Sequence, residues 1–371
     1  MKNSGLESEF LTIHEFVKAA KMNLAPNIWD YLIGGTETET TLARNRAALD
    51  QIALRPRVLR DVSEIAADDT FLGKSVRLPV LLAPVGGLEQ FDPAGAVAVA
   101  EAAGRFGVAM MMSSVTQQSL ADVREKTSAP LIYQLYVRGD ESFVDEQAAY
   151  AIDNGCDAFC VTVDTQRYSR RERDIAKRFA KPWRAATNAT EMGQYQAAFS
   201  WKDVARFKSK HDIPFVLKGI GTAEDAAIAV EHGVEFIYCS NHGGRQLDHG
   251  RGSADVVGEI LDAVGGKAGV ILDGGVSRGT DVLKARALGC QAAGIGRLYC
   301  YGLAARGPDG IIRLLEILED EIINDLGLAG VTRFDQLDQS YLHFGAPLVT
   351  QPHVHSAFPL LNLDDPGYGG R

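Results

Sequence analysis

The run Phe236-Ile237-Tyr238-Cys239-Ser240-Asn241-His242-Gly243-Gly244-Arg245-Gln246-Leu247-Asp248 changes character after four residues. Its apolar start reads as a short buried strand. The polar, glycine-containing remainder reads as a loop to which that strand delivers side chains. At the C-terminal end of a parallel strand, such a loop is where sites are built. Histidine takes up a proton near neutral pH, and arginine forks onto a carboxylate. The stretch therefore predicts a base, His242, beside an anion clamp, Arg245.

The same unit recurs along the chain. Apolar strands are predicted over 78–84, 108–114, 131–136, 158–164, 215–219, 236–241, 269–274 and 292–296. Helices are predicted over 94–105, 119–126, 141–153, 200–211, 222–232, 253–264, 279–289 and 308–325. Ser200 and Thr222 stand three residues before Asp203 and Asp225, a helix-start pattern. Near-continuous apolar strands alternating with helices mean a parallel sheet covered by helices. Eight units in roughly 250 residues predict an α/β fold of the (β/α)8 barrel kind, a TIM barrel, over an open sheet.

Residues 1–75 read as an N-terminal helical extension, with helices near 13–20, 26–32 and 41–52 and an irregular stretch at 54–59 around Pro56. The barrel is assigned to 76–325, and 326–371 to a peripheral tail, the whole forming one domain. Between Asp164 and Ser200 lies a long loop rich in arginine: Arg167, Arg170, Arg171, Arg173, Arg178 and Arg184. It leaves the end of the fourth strand and reads as a lid over an active site.

The 371 residues are 46% hydrophobic and 23% charged, with a net charge of −10, which argues against nucleic acid as a partner. No secretory signal or bilayer-length apolar run is visible, so a cytoplasmic protein is expected. Five cysteines lie mostly in apolar segments; Cys156 and Cys160 read as core packing. His353 and His355 read as surface residues, and no metal site is expected.

Polar residues cluster at the predicted strand ends: Gln134 and Tyr136, Thr162 and Asp164, Lys218, Ser240 and His242, Asp273, Gly296 and Arg297. The glycines of Asp273-Gly274-Gly275-Val276-Ser277-Arg278 and Gly294-Ile295-Gly296-Arg297 suit close approach of an anion. Barrel phosphate sites recur after strands seven and eight. With no dinucleotide fingerprint early in the chain, a mononucleotide cofactor is the economical reading.

Together with Trp29-Asp30-Tyr31, Arg55-Pro56-Arg57, Gln134-Leu135-Tyr136, Arg170-Arg171-Glu172, Leu217-Lys218-Gly219 and Asp273-Gly274-Gly275, the opening run resembles the FMN-dependent α-hydroxy acid oxidase/dehydrogenase family. The likeness covers about residues 10–325. It implies oxidation of an (S)-2-hydroxy acid to the 2-oxo acid, with FMN reoxidised by O2 or another acceptor, in a homo-oligomer of four or eight subunits. His242 would be the base and Asp164 its stabiliser. Arg171, Arg245 and Tyr31 would hold the substrate carboxylate, with Tyr136 on the substrate oxygen. Lys218 would face the N1/O2 edge of the flavin, while Pro84, Val85, Gly86, Ser113, Gln134, Thr162 and Ser240 would surround the ring. Asp273 would take the ribityl chain; Gly274, Gly275, Arg278, Gly296 and Arg297 the phosphate.

The chain departs from the family at several places. Gly86 stands where a larger small residue is usual, and Val115 where glycolate oxidases carry tryptophan; both predict a roomier pocket and a mandelate-like or branched substrate. Tyr168 would add an aromatic face, and Ser277 replaces a common phosphate-binding arginine. The runner-up is an FMN barrel isomerase acting on a diphosphate without net oxidation, against which the pair Arg171 and Arg245 speaks. A flavin-binding scaffold without turnover is disfavoured because His242 and Lys218 are both present.

Overall fold

The structure, a computed structural model, describes residues 5–179, 189–345 and 357–358, with residues 189–192 described by backbone alone. Arg184, His353 and His355 lie outside them. Eight parallel strands close into a barrel: β4 (Val80–Leu82), β5 (Ala109–Ser113), β6 (Leu131–Leu135), β7 (Ala158–Thr162), β8 (Phe215–Ile220), β9 (Phe236–Cys239), β10 (Gly269–Leu272) and β11 (Ala292–Ile295). Each neighbours the next in sequence, and β11 closes onto β4. The strands are apolar on both faces because both are covered. Leu81, Met111, Ile132, Cys160, Val216, Tyr238 and Ile271 fill the barrel, while Leu82, Met110, Phe159, Phe215 and Ile237 face the helices. Each large side chain buried this way stabilises the fold by roughly 1.5–3 kcal/mol before entropy is counted.

The intervening helices start where their caps dictate. The Thr222 side chain accepts from the Asp225 N–H, and the Ser200 N–H donates to Asp203 at 2.8 Å. Helices at Gly95–Phe106, Ser253–Val264 and Gly279–Leu288 each end at a glycine in the left-handed region, which a side chain would strain.

Four regions differ from the sequence reading. The extension carries α1 (Leu6–Glu9), α2 (Ile13–Asn23), α3 (Pro26–Ile33) and α4 (Thr40–Asp50), but also strands. Among these, β2 (Asp69–Phe71) and β3 (Lys74–Val76) form a hairpin whose Phe71 and Val76 pack into the barrel interior. The last helix begins at Arg297, directly after β11, and breaks at Arg306 and Gly307 because Pro308 cannot continue it; only its second half had been expected. The chain after Leu326 is not peripheral as far as it is described. Val331, Phe334, Leu337 and Tyr341 are buried, and β12 (Leu342–Phe344) pairs with β1 (Ile52–Leu54) across nearly the whole sequence. The stretch between the fourth and fifth strands holds helices at Glu172–Ala176 and Ala189–Ala198 rather than loop alone. The second is fastened down by Gln196, which accepts from the Val137 N–H at 2.7 Å and donates to the Thr162 carbonyl at 3.0 Å.

Candidate active site

A cavity of about 610 Å³ opens at the C-terminal ends of the barrel strands, within the roughly 300–1,000 Å³ usual for small-molecule sites. Its wall includes Tyr31, Pro84, Val85, Gly86, Tyr136, Tyr168, Arg171, Lys218, His242, Arg245, Asp273, Gly274, Gly275, Gly296 and Arg297. The chain is acidic overall, yet lysine and arginine line this cavity. That contrast suits an anionic ligand.

His242 follows β9 with φ near +61°, a conformation non-glycine residues rarely hold and one that re-aims the side chain. Its backbone N–H donates to Ser240 Oγ at 3.1 Å. Nδ1 lies 3.1 Å from Asp164 Oδ1 and Nε2 lies 3.3 Å from the Tyr136 hydroxyl. The carboxylate at Nδ1 leaves Nε2, on the cavity side, to exchange a proton. Asp164 stands behind the imidazole, on the wall of a neighbouring cavity of about 700 Å³. It fits there because β8 bulges at Gly219, where a Cβ would fall 2.6 Å from that of Asp164. Burial and the charge of Lys218 lower the His242 pKa against the opposing pull of Asp164, so the ring is neutral at neutral pH. Burial works against ionisation of Asp164, yet His242 and Lys218 keep its carboxyl below the ordinary value.

The clamp comes from three separate parts of the chain. Arg245 reaches back to α3, donating to the Leu32 carbonyl at 3.1 Å and to the Tyr31 carbonyl, with its guanidinium 4.9 Å from the Tyr31 ring centroid. Arg171, from the lid, lies 4.9 Å from the Tyr168 ring and donates to Ser169 at 3.3 Å. The Tyr31 hydroxyl donates to the Gly86 carbonyl at 2.9 Å.

Gly86 does not add room in the way its size suggests. A Cβ there would lie 3.1 Å from both Cβ and Cγ1 of Val115, so the two departures share one space. Tyr168 does line the cavity, 46% exposed.

On the cavity floor Lys218 donates to Ser240 Oγ at 3.0 Å and lies 3.8 Å from Asp273. Gln134 donates to Thr162 at 2.9 Å; Thr162 is the register partner of Lys218, and Ser113 that of Gln134. Among the described residues, Gln134 Oε1, Asp273 Oδ1 and Asp164 Oδ2 are buried without a partner. Unpaired acceptors beside a buried lysine fit a planar ligand with donors and acceptors along its edge, as FMN has. Arg297 donates to the carbonyls of Leu32 (3.1 Å), Gly243 (3.0 Å) and Gly34 (2.7 Å). Among the described residues, two of its five N–H groups have no hydrogen-bond partner, enough to take an anion. Burial, with Arg245 nearby, brings its pKa down to about 10. Arg278 is turned away, bonded to Glu321 at 2.5 Å and to the Ala357 carbonyl, and does not line the cavity.

Residues without a sequence signal also reach the site. Arg46 and Phe358 line the cavity from the two ends of the chain, and Phe91 stacks on Tyr31 at 6.1 Å.

Residues 20–344 match the model of the FMN-dependent dehydrogenase family. The chain is 37% identical to an L-lactate oxidase of Nostoc sp. over 357 residues, covering 90% of this chain and 98% of that protein. It is 37% identical to a 4-hydroxymandelate oxidase of Amycolatopsis orientalis over 339 residues, covering 86% and 95%. The crystal structure of a mandelate oxidase with benzoyl-formic acid superposes with a TM-score of 0.84 at 37% identity, covering 92% of this chain and all of that one.

Proposed function

The chain belongs to the FMN-dependent dehydrogenase family, and we propose that it oxidises an (S)-2-hydroxy acid larger than glycolate, with an aromatic or branched side chain. The observation that carries this reading is the placement of His242 between Asp164 (3.1 Å) and Tyr136 (3.3 Å), in a cavity that also holds Arg171 and Arg245. The substrate size is supported by the 4-hydroxymandelate and mandelate oxidases among the relatives and by Tyr168 on the cavity wall.

Each residue then has a task. Arg171 and Arg245 receive the carboxylate, which orients the α-hydroxyl and α-hydrogen before any bond breaks. Tyr31 completes that end of the pocket. Neutral His242 takes a proton from the substrate at Nε2, and Asp164 stabilises the imidazolium that results. Tyr136, whose own proton is held tightly because burial raises its pKa, donates to the substrate oxygen without losing it. FMN, once bound, supplies the two-electron acceptor. Ser113, Gln134, Thr162, Lys218 and Ser240 would hold the edge of its ring, with Pro84, Val85 and Gly86 beside it. Asp273 would hold the ribityl chain, and Gly274, Gly275, Gly296 and Arg297 the phosphate.

The reading extends to a single functional unit of extension, barrel and tail, acting as a cytoplasmic homotetramer or octamer. The test is an anaerobic screen of the yellow protein against glycolate, lactate, mandelate and longer 2-hydroxy acids, following loss of flavin colour. Fastest bleaching by mandelate-like or branched acids is expected; bleaching by none would sink the reading. Repetition in air separates O2 from another acceptor.

A further inference from the structure

Arg46 lines the cavity, yet it is not arranged to bind an anion. Nε donates to Asp50 at 2.9 Å; Nη1 donates to the Gly275 carbonyl at 2.8 Å and to Asp281 Oδ2 at 2.7 Å. Nη2 donates to Asp281 Oδ1 at 2.8 Å and meets Asp50 at 2.7 Å. Four of its five N–H groups are thereby hydrogen-bonded, and the fifth is on the nitrogen that faces the Asp50 carboxylate. Arg297, at the same end of the cavity, keeps two to offer. The two arginines therefore have different tasks.

The partners of Arg46 say what its task is. Asp281 is fully buried, and its Oδ2 also accepts the backbone N–H groups of Ser277 (2.9 Å) and Arg278 (3.1 Å). The Gly275 carbonyl is turned toward α4, which points the Val276 N–H of the same trans peptide the opposite way. A Cβ on Gly275 would lie 2.9 Å from the Asn45 carbonyl, so α4 is seated directly on this loop. Asn45 exchanges side-chain hydrogen bonds with Asn241 at 2.8 and 2.7 Å, joining the same helix to the loop after β9.

We propose that Arg46 is a positioning residue: through Asp281 and the Gly275 carbonyl it fixes the loop after β10, so that the N-terminal extension sets how tightly the phosphate end of the cofactor is held. The inference rests on the assignment of that loop to the FMN phosphate. It adds that affinity for the phosphate is governed by a residue that does not touch it.

The test compares wild type, Arg46→Lys, Asp281→Asn and Leu49→Ala, the last removing a buried apolar side chain on the same helix that can make no hydrogen bond to the loop. Each protein is stripped of flavin and titrated with FMN and with riboflavin, following flavin fluorescence. Amide exchange at Ser277 and Arg278 is measured on the flavin-free proteins. Arg46→Lys keeps the charge but loses the fork; it should weaken FMN by about tenfold or more, leave riboflavin nearly unchanged and speed exchange at both amides. Asp281→Asn should do the same, and decides the matter if the lysine variant fails to fold. Leu49→Ala should alter both flavins by the same factor. Equal weakening of FMN and riboflavin in Arg46→Lys, or unchanged exchange at Ser277 and Arg278, would overturn the proposal. A wild type that takes up neither flavin would end the functional reading, while the exchange data would still decide whether Arg46 holds the loop.

Discussion

The two ends of the cavity are bonded in different ways. At the β9 end the contacts are long: His242 meets Asp164 at 3.1 Å and Tyr136 at 3.3 Å, and Asp164 Oδ2 has no partner among the described residues. At the β10 end Arg46 makes all its contacts at 2.7–2.9 Å, to Asp50, Gly275 and Asp281. A group that exchanges protons needs unfilled capacity and geometry that tightens when substrate arrives. A group that only holds a loop works best with none left. The first end is thus suited to chemistry and the second to placement, and the two should separate cleanly under mutation.

His242→Ala should give the largest effect. Flavin uptake is expected to remain, while substrate-driven bleaching in stopped flow slows about 10²–10⁴-fold. Bleaching near the wild-type rate would erase the distinction. Gly275→Ala attacks the opposite end. With φ near +88° and its new Cβ 2.9 Å from the Asn45 carbonyl, it carries strain of roughly 1–3 kcal/mol. Flavin should dissociate faster and the melting temperature fall, while the flavin-loaded fraction turns over at nearly the normal rate. A slowed loaded enzyme would show that the two ends are not independent. The smallest effect lies in the pH profile. The working form of His242 is the free base, and its folded pKa is lowered, by burial first. Activity should therefore persist as pH falls to the ordinary imidazole value of about 6.5 and be lost only below it. Asp164 pulls that pKa upward, so Asp164→Asn should move the acid limb of kcat/KM lower still, besides slowing turnover. An acid limb above the ordinary value would contradict the electrostatic account of His242.

The same division decided what could be read in advance. The eight barrel strands were legible because each is short, apolar and buried on both faces, and the reacting side chains stand at their ends. The placing residues were not, because their partners are distant in sequence. Arg46 and Asp281 are 235 positions apart, and Ile52 pairs with Phe344. The β2–β3 hairpin escaped notice because Asp69-Thr70 and Lys74-Ser75 look like surface loop, with only Phe71 and Val76 turned inward. Gly274 and Gly275 were read as space for an anion; their packing against Asn45 supplies a second reason for glycine, invisible without α4. Gly86 and Val115 were read as two separate gains in volume, but volume is a property of pairs in contact. A sequence shows each residue's size and not what leans against it.

The β2–β3 hairpin has a last consequence, concerning traffic. With Phe71 and Val76 packed among Leu81, Met111, Ile132 and Tyr238, the barrel is stoppered at its foot, and the strand ends above become the way in. A hydroxy acid would then enter, and its 2-oxo acid leave, on the strand-end side. A product slow to step out keeps the next visitor waiting, and the pace of the whole cycle can be set by an exit, with no bond being broken at all.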